Sequence, residues 1–365
     1  MNDRIFFSKE DTRVIKGIAI ILMLYHHLFA FPERLGDDIV YNSIFNIMIS
    51  ENTISYWIGV FGKFCRALFI FLAGYGLYIS EKHANDTTKY IINKLKNIYL
   101  IYWKVFFVFI PVSMLLNVPN VEKNIEMFLF NFLGIYISYN GEWWFFTTYV
   151  ITLLIFPCIK AFFGRKNSDF FSDILWIFII NAMVLYIIPV IMEYHLFSQL
   201  KDSILWYNMQ KFIELLPSFL TGIVAAKYDI LSQIKKKYTG NLVYVFISIM
   251  ALGIVFCMRV MLGGSYDFIY VLIFTCASVL VFQTKYTSII YRILSLIGNE
   301  STVIWLTHSF YCYTLCPEIV YAPRYSVLIV IWLIFLCYIT SKIINIFYKY
   351  LWKFFGRVEG MMLIK

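Results

Sequence analysis

Apolar segments of about twenty residues recur along the chain, each bounded by charged or turn-forming residues. A helix needs roughly 20 residues to cross a ~30 Å hydrocarbon core, so the pattern predicts an all-α polytopic membrane bundle of about ten transmembrane helices. The stretch 125–138, interrupted by Asn131 and Gly134, predicts an interfacial or re-entrant piece. The predicted spans are 14–31, 56–79, 97–117, 143–163, 171–192, 205–226, 241–262, 266–283, 300–316 and 325–350.

The composition is that of a membrane protein. Of 365 residues, 61% are hydrophobic and 15% are charged, and the mean hydropathy is +0.73. Soluble domains are nearer half apolar and a quarter charged, so the composition excludes an ordinary soluble enzyme. The sequence predicts one integral-membrane domain over 1–365 with no appended soluble domain. The seven cysteines lie mostly in apolar spans without metal-ligand spacing, so neither a metal site nor disulfides are predicted.

Loop charge predicts the orientation of the spans. Alternate loops carry clusters of basic residues, and the loops between them carry mainly acids. The positive-inside rule makes the basic loops cytoplasmic, which places both termini in the cytoplasm. The net charge of +9 is then explained by anionic lipid headgroups beside those loops, and no nucleic acid is expected as a partner. Two such clusters comprise Lys82, Lys89, Lys94 and Lys96, and Lys235, Lys236 and Lys237.

The first span carries ionisable side chains that a purely structural helix would lack. Lys16 and His27 are eleven positions apart, which puts them on nearly the same helix face about 16 Å from each other, whereas His26 points about 100° away. Ionisable residues at membrane depth are costly and mark functional sites; two imidazoles packed between helices are the alternative. A neutral imidazole can act as a general base for a hydroxyl, or carry an acyl group transiently.

The residues around Lys16 and His27 resemble the opening signature of acyltransferase family 3. In that signature a basic residue is followed by Gly-Ile-Ala-Ile, and a histidine comes eleven positions after the basic residue. Members of that family are polytopic membrane enzymes that O-acylate surface glycans, lipopolysaccharide, peptidoglycan and small molecules. Further blocks similar to the family's occur in the same order along the chain. They are Ala67–Tyr78, Trp143–Pro157, Leu220–Lys227 and Gly298–His308.

The resemblance implies roles for the basic residues and histidines. Lys16 and His27 take the places of the family's essential basic residue and histidine, with His26 as a neighbouring candidate. Acetyl-coenzyme A, or another acyl-coenzyme A, is expected as a co-substrate from the cytoplasm, with no permanently bound cofactor. The family's basic-x-x-basic pattern after the second span is incomplete, which leaves Lys94 and Lys96 as candidates for the phosphates. Ordinary positive-inside charge is the alternative for these two lysines.

Five further residues are candidates for binding the acceptor. Glu142 and Trp143 lie at the outer end of the fourth span, where they can bind and stack on a sugar; a loop acid beside an aromatic belt is the alternative. Arg66 lies too deep in the second span for a loop charge and is expected to pair with an acid or bind an anionic acceptor. Ser301 and His308 are seven apart on one helix face, so both can face one cavity. Packing or a helix cap explains Ser301 equally well.

The sequence therefore predicts a multi-pass enzyme of the cell membrane that transfers acetyl from acetyl-coenzyme A to a hydroxyl of a surface polysaccharide or its lipid-linked precursor. Its expected partners are the lipid bilayer, acyl-coenzyme A and a glycan or lipid-linked glycan. A polytopic glycan flippase or transporter without acyl-transfer activity is the alternative, although such proteins often show internal repeats or broken helices that are not evident here. A non-catalytic membrane sensor is a third reading, and it would tolerate loss of His27.

Overall fold

The computed structural model describes residues 7–35, 39–45, 47–165, 168–194 and 197–362, and the side chains of these residues except those of 285 and 352–362. The described β-strands form one antiparallel hairpin, in which Met48–Ile49 (β1) pairs with Asn52–Thr53 (β2). The α-helices are Lys9–Phe29 (α1), Ile54–Gly62 (α2), Cys65–Glu81 (α3), Thr87–Leu115 (α4), Ile125–Leu133 (α5), Trp144–Phe163 (α6), Phe170–Ala182 (α7), Ile188–Met192 (α8), Ser198–Lys201 (α9), Ile204–Lys227 (α10), Ile230–Tyr238 (α11), Leu242–Leu262 (α12), Asp267–Phe282 (α13), Ser288–Asn299 (α14), Ser301–Ser309 (α15), Pro317–Tyr321 (α16) and Ser326–Met362 (α17).

The predicted all-α polytopic membrane bundle is confirmed. Within the described residues, seven helical segments are long and apolar enough to cross a membrane, with α2 and α3 counted as one segment and α7 and α8 as another. The number is nine if each of two bent helix pairs also counts as one span. The bent pairs are α10 with α11 and α14 with α15 plus its π-helical continuation. The predicted span 266–283 corresponds to α13, whose 16 residues fall short of a full crossing. The count of about ten spans and the cytoplasmic termini therefore stay predictions, and 1–6 and 363–365 lie outside the described residues.

The interrupted stretch 125–138 folds as predicted for a segment that does not span. Helix α5 has nine residues, about 14 Å of helix, which is half of what a crossing needs. Gly134 ends it in the left-handed conformation at φ 68°. The buried Asn131 accepts a hydrogen bond from the backbone N–H of Tyr139 at 3.0 Å through its side-chain oxygen. The polar interruption is thus a turn that returns the chain to α6.

Helix α1 is defined at both ends by its sequence. Ser8 accepts from the backbone N–H of Asp11 at 3.1 Å, and Asp11 accepts from the backbone N–H of Ser8 at 2.7 Å, which forms a capping box. The helix ends before Phe31 and Pro32 because a residue preceding proline is disfavoured in the helical conformation. The histidines therefore lie in its last turn, just before the chain turns back.

Glycines allow the central helices to approach closely. A Cβ on Gly74 of α3 would collide with the carbonyl oxygen of Phe219, and one on Gly222 of α10 would collide with that of Phe71. Gly17 of α1 faces a backbone carbonyl of α14 in the same way. Small residues at helix interfaces are typical of membrane bundles, where van der Waals packing drives helix association. The packing of α3 on α10 fixes one wall of the cavity described below.

Buried ion pairs connect helices at several points. The Asp11 and Lys235 side chains, both almost fully buried, pair at 2.7 Å, and Lys227 pairs with Asp173 at 2.6 Å. Arg259, near the C-terminal end of α12, is also buried. Its Nε lies 3.2 Å from Oδ1 of Asp267 at the start of α13. A buried charge requires such a partner because burial without one is costly.

Candidate active site

A cavity of about 280 Å³ runs along facing sides of α1 and α3. Its wall on α1 extends from Thr12 to His27 and its wall on α3 from Cys65 to Ser80, in each case fifteen positions or about 22 Å of helix. On α3 the lining positions recur every three or four residues, which is one continuous helix face. The cavity therefore connects two levels of the bundle, and it is lined by residues from five helices and from the turn that contains Glu142.

One end of the cavity is cationic, and we call Lys16 and Lys94 with the neighbouring Thr12 and Ser80 the lysine end. The positive charge of Lys94 is close enough to Lys16 to repel the charge of its ammonium group. Among the described residues, neither ammonium group forms an ion pair with a carboxylate. Two partly buried cations without an acid between them attract anions. Lys96, in contrast, is exposed and does not line the cavity.

The other end holds an imidazole and a carboxylate, and we call His27 and Glu142 the histidine end. Nε2 of His27 lies 3.6 Å from Oε2 of Glu142, and both side chains are mostly buried at 12% and 19% exposure. This distance is longer than a hydrogen bond, as catalytic contacts often are before substrate binds. A carboxylate beside an imidazole orients the ring and stabilises the imidazolium that forms when the ring accepts a proton.

Glu142 is positioned by its own turn and by a cation. The Asn140 side chain accepts from the backbone N–H of Glu142 at 3.1 Å, which caps the 3-10 turn Gly141–Trp143 ahead of α6. Nη1 of Arg34 lies 3.3 Å from Oε1 of Glu142, so the two carboxylate oxygens face Arg34 and His27. Trp305 donates from Nε1 to the Glu142 carbonyl at 3.3 Å. The backbone of Glu142 is therefore held by Asn140 and Trp305, and its carboxylate by Arg34 and His27.

The two neighbouring histidines have different environments. His26 does not line the cavity; its Nδ1 lies 2.9 Å from the carbonyl oxygen of Gly59, and its ring packs against Phe31. His26 therefore lies on a different face of α1 from Lys16 and His27. His27 faces the cavity, so the helical geometry separates a packed histidine from one that can meet a substrate.

His308 approaches His27 from behind the cavity wall. The two ring centroids are 4.8 Å apart, and Nδ1 of His308 lies 2.6 Å from the carbonyl oxygen of Trp305. Nδ1 of His27 and Nε2 of His308 are buried and have no hydrogen-bond partner among the described residues. Tyr313 donates its hydroxyl to the His27 carbonyl at 2.5 Å. His308 thus contacts the His27 ring without lining the cavity itself.

Of the remaining predicted residues, two line the cavity and one is buried in the core of the protein. Ser301 and Arg66 line the cavity, and Nη1 of Arg66 lies 3.2 Å from Oε2 of Glu214. Trp143 is fully buried in an aromatic cluster, where its Nε1 donates to the carbonyl oxygen of Leu306 at 2.9 Å. The next residue, Trp144, lines the cavity instead.

Sequence reasoning missed three residues of this site. Arg34 and Glu214 are partners of predicted residues, but each contact joins positions more than a hundred residues apart, and nothing local in the sequence signals it. Trp305 lines the cavity and supports Glu142. Its place three residues before His308, on the same face of α15, is a signal that could have found it.

Comparison with known proteins assigns the family. The acyltransferase-domain model of acyltransferase family 3 matches residues 12–344, nearly the whole chain. The protein belongs to this family of acyltransferases, as the sequence blocks predicted, and it is a membrane acyltransferase. The match includes Lys16, His27 and Glu142. No curated protein and no solved structure matches the chain.

Proposed function

We propose that this protein is an O-acyltransferase of the cell membrane that transfers an acetyl group from acetyl-coenzyme A to a hydroxyl of a surface polysaccharide or its lipid-linked precursor. The carrying observation is that Lys16 and His27 line a single cavity at positions about 16 Å apart along α1. A donor with phosphates at one end and a reactive thioester at the other matches such a cavity in both charge and length.

The lysine end binds the donor. The diphosphate of coenzyme A lies against Lys16 and Lys94, whose ammonium groups have no carboxylate partner among the described residues. The narrow pantetheine arm follows the apolar wall of α3, which includes Phe69, Leu72 and Ala73. The thioester then reaches the histidine end, where water is largely excluded.

The histidine end carries out the transfer. His27 accepts the proton of the acceptor hydroxyl, and the oxygen attacks the thioester carbonyl. The carbon–sulfur bond breaks, an ester forms, and the departing thiolate takes the proton back from His27. Glu142 orients the ring and stabilises its charge during the step. Transient acylation of His27 itself is the second route to the same products.

The alkali-labile O-acetyl content of surface glycans tests this function. It is measured in cells with the protein, cells without it, and cells carrying His27→Ala or the matched control His26→Ala. We expect loss of the ester in the deletion and in His27→Ala, with the mutant protein still in the membrane. Unchanged ester with less exported glycan would favour the transporter, and no change at all would reject a glycan acceptor.

A further inference from the structure

The histidine end of the cavity contains a cation that the reaction described above does not use. We propose that the acceptor is anionic and that Arg66 binds its negatively charged group while the hydroxyl to be acylated faces His27. The proposal rests on the proposed acyl transfer and defines the chemical class of its acceptor. It concerns a carboxylate or a phosphate attached to the sugar that is acylated.

Arg66 belongs to a cationic group at the junction of α2 and α3. The side chain of Lys63 lies within electrostatic range of the cations Arg66, Arg259 and Lys211 and of the Glu214 carboxylate. Lys63 and Arg259 also act on His26, which places this group beside the last turn of α1. The group is therefore at the histidine end and far along α3 from the lysine end.

The carboxylates in this region do not balance its cations. Arg259 is occupied by Asp267 and donates to the carbonyl oxygen of Val60 at 3.3 Å. Arg66 donates one hydrogen bond to Glu214 in the described structure, from Nη1 to Oε2 at 3.2 Å. Lys63 and Lys211 form no ion pair with any described carboxylate. Apart from Glu142, whose carboxylate faces Arg34 and His27, these four cations thus share two carboxylates.

Arg66 is the member of this group that faces the cavity. Its side chain is 17% exposed, and its Nε is buried without a hydrogen-bond partner among the described residues. A guanidinium has five donors in a planar fork that matches carboxylate and phosphate oxygens. Unused donors on a cation at membrane depth are costly, which favours a charged ligand that completes them.

The donor does not supply this anion. The phosphates of acetyl-coenzyme A are drawn to Lys16 and Lys94, and only its uncharged thioester reaches the histidine end. An anion beside Arg66 must therefore come with the acceptor. Trp144 and Trp305 line the same cavity and offer aromatic faces for a sugar ring. A sugar held there can present a hydroxyl to His27 and its charged group to Arg66.

Equilibrium binding of three simple sugars to the purified protein in nanodiscs tests this proposal without requiring turnover. The probes are glucuronate, glucose 1-phosphate and glucose, which carry a carboxylate, a phosphate and no charge. We expect one or both charged sugars to bind more tightly than glucose, and Arg66→Gln to weaken that binding by about tenfold or more. The better charged probe identifies carboxylate or phosphate as the acceptor's group.

Three further variants make the outcome decisive. Arg66→Gln with Glu214→Gln removes both partners, so loss of binding in this variant is not caused by an unpaired carboxylate. Lys96→Gln removes a cation that is exposed and lies outside the cavity and the cationic group, and it should change binding little. His27→Ala should keep the preference for charged sugars even though transfer is lost, which separates this proposal from the proposed function. Equal binding of glucose and the charged sugars, or unchanged binding after loss of Arg66, would overturn it.

Discussion

Nε2 of His27 lies 3.6 Å from Oε2 of Glu142, although 115 positions separate the two residues in the sequence. One is in the last turn of α1 and the other in the capped turn that precedes α6. Both line the cavity whose other end carries Lys16 and Lys94. The cavity of this membrane acyltransferase thus has an imidazole beside a carboxylate at one end and two lysines at the other.

The two adjacent histidines should respond differently to substitution. We expect His27→Ala to lower acyl transfer by about a hundredfold or more, since it removes a general base. His26→Ala should be milder because His26 faces the carbonyl of Gly59 and does not line the cavity. Transfer rates are compared at equal amounts of membrane-inserted protein. An equal or greater loss from His26→Ala would reverse the choice between the two rings.

Glu142 should act mainly on turnover. Glu142→Gln keeps the shape of the side chain but removes the charge that stabilises an imidazolium, so kcat should fall more than KM changes. Arg34→Gln should have a smaller effect, because Arg34 is 43% exposed and exposed ion pairs contribute little. Glu126→Gln, at an exposed acid of α5, is the matched control. A fall in kcat no larger than the control's would exclude Glu142 from the transfer step.

The lysine end should govern use of the donor. Lys16→Ala should raise the KM for acetyl-coenzyme A more than the KM for the acceptor, and added salt should weaken donor binding in the wild type by screening. Lys94→Ala should act in the same direction. Lys96→Ala is the control, since Lys96 is exposed and outside the cavity. An effect of Lys16→Ala confined to the acceptor would contradict the assignment of this end.

The close contact of α3 with α10 should be sensitive to one added methyl group. Gly222→Ala places a Cβ against the carbonyl of Phe71, and overpacking of this kind costs about 1–3 kcal/mol. The midpoint of thermal unfolding in detergent should fall. Gly253→Ala on α12, where a Cβ meets no heavy atom within 4 Å, should leave the midpoint nearly unchanged. Equal midpoints for the two variants would refute the packing argument.

Much of the fold followed from the sequence because the membrane restricts a chain to long apolar helices. The position of Lys16 and His27 on one helix face was predictable because it depends on the geometry of a single helix. The bend between α14 and α15 and the pairing of His27 with Glu142 were not predictable, since they depend on contacts between distant segments. Trp143 shows most clearly what the sequence could not predict. Packing turns its ring into the aromatic cluster, and Trp144, one position later, faces the cavity.

We propose that acyl transfer from coenzyme A to a hydroxyl depends on His27. The most direct test is to incubate purified protein in nanodiscs with acetyl-coenzyme A labelled in its acetyl group and with membranes and glycans from cells that lack the protein. We predict that the wild type transfers label into an alkali-labile ester and that His27→Ala does not. No labelled ester from the wild type, or equal labelling by His27→Ala, would contradict the account.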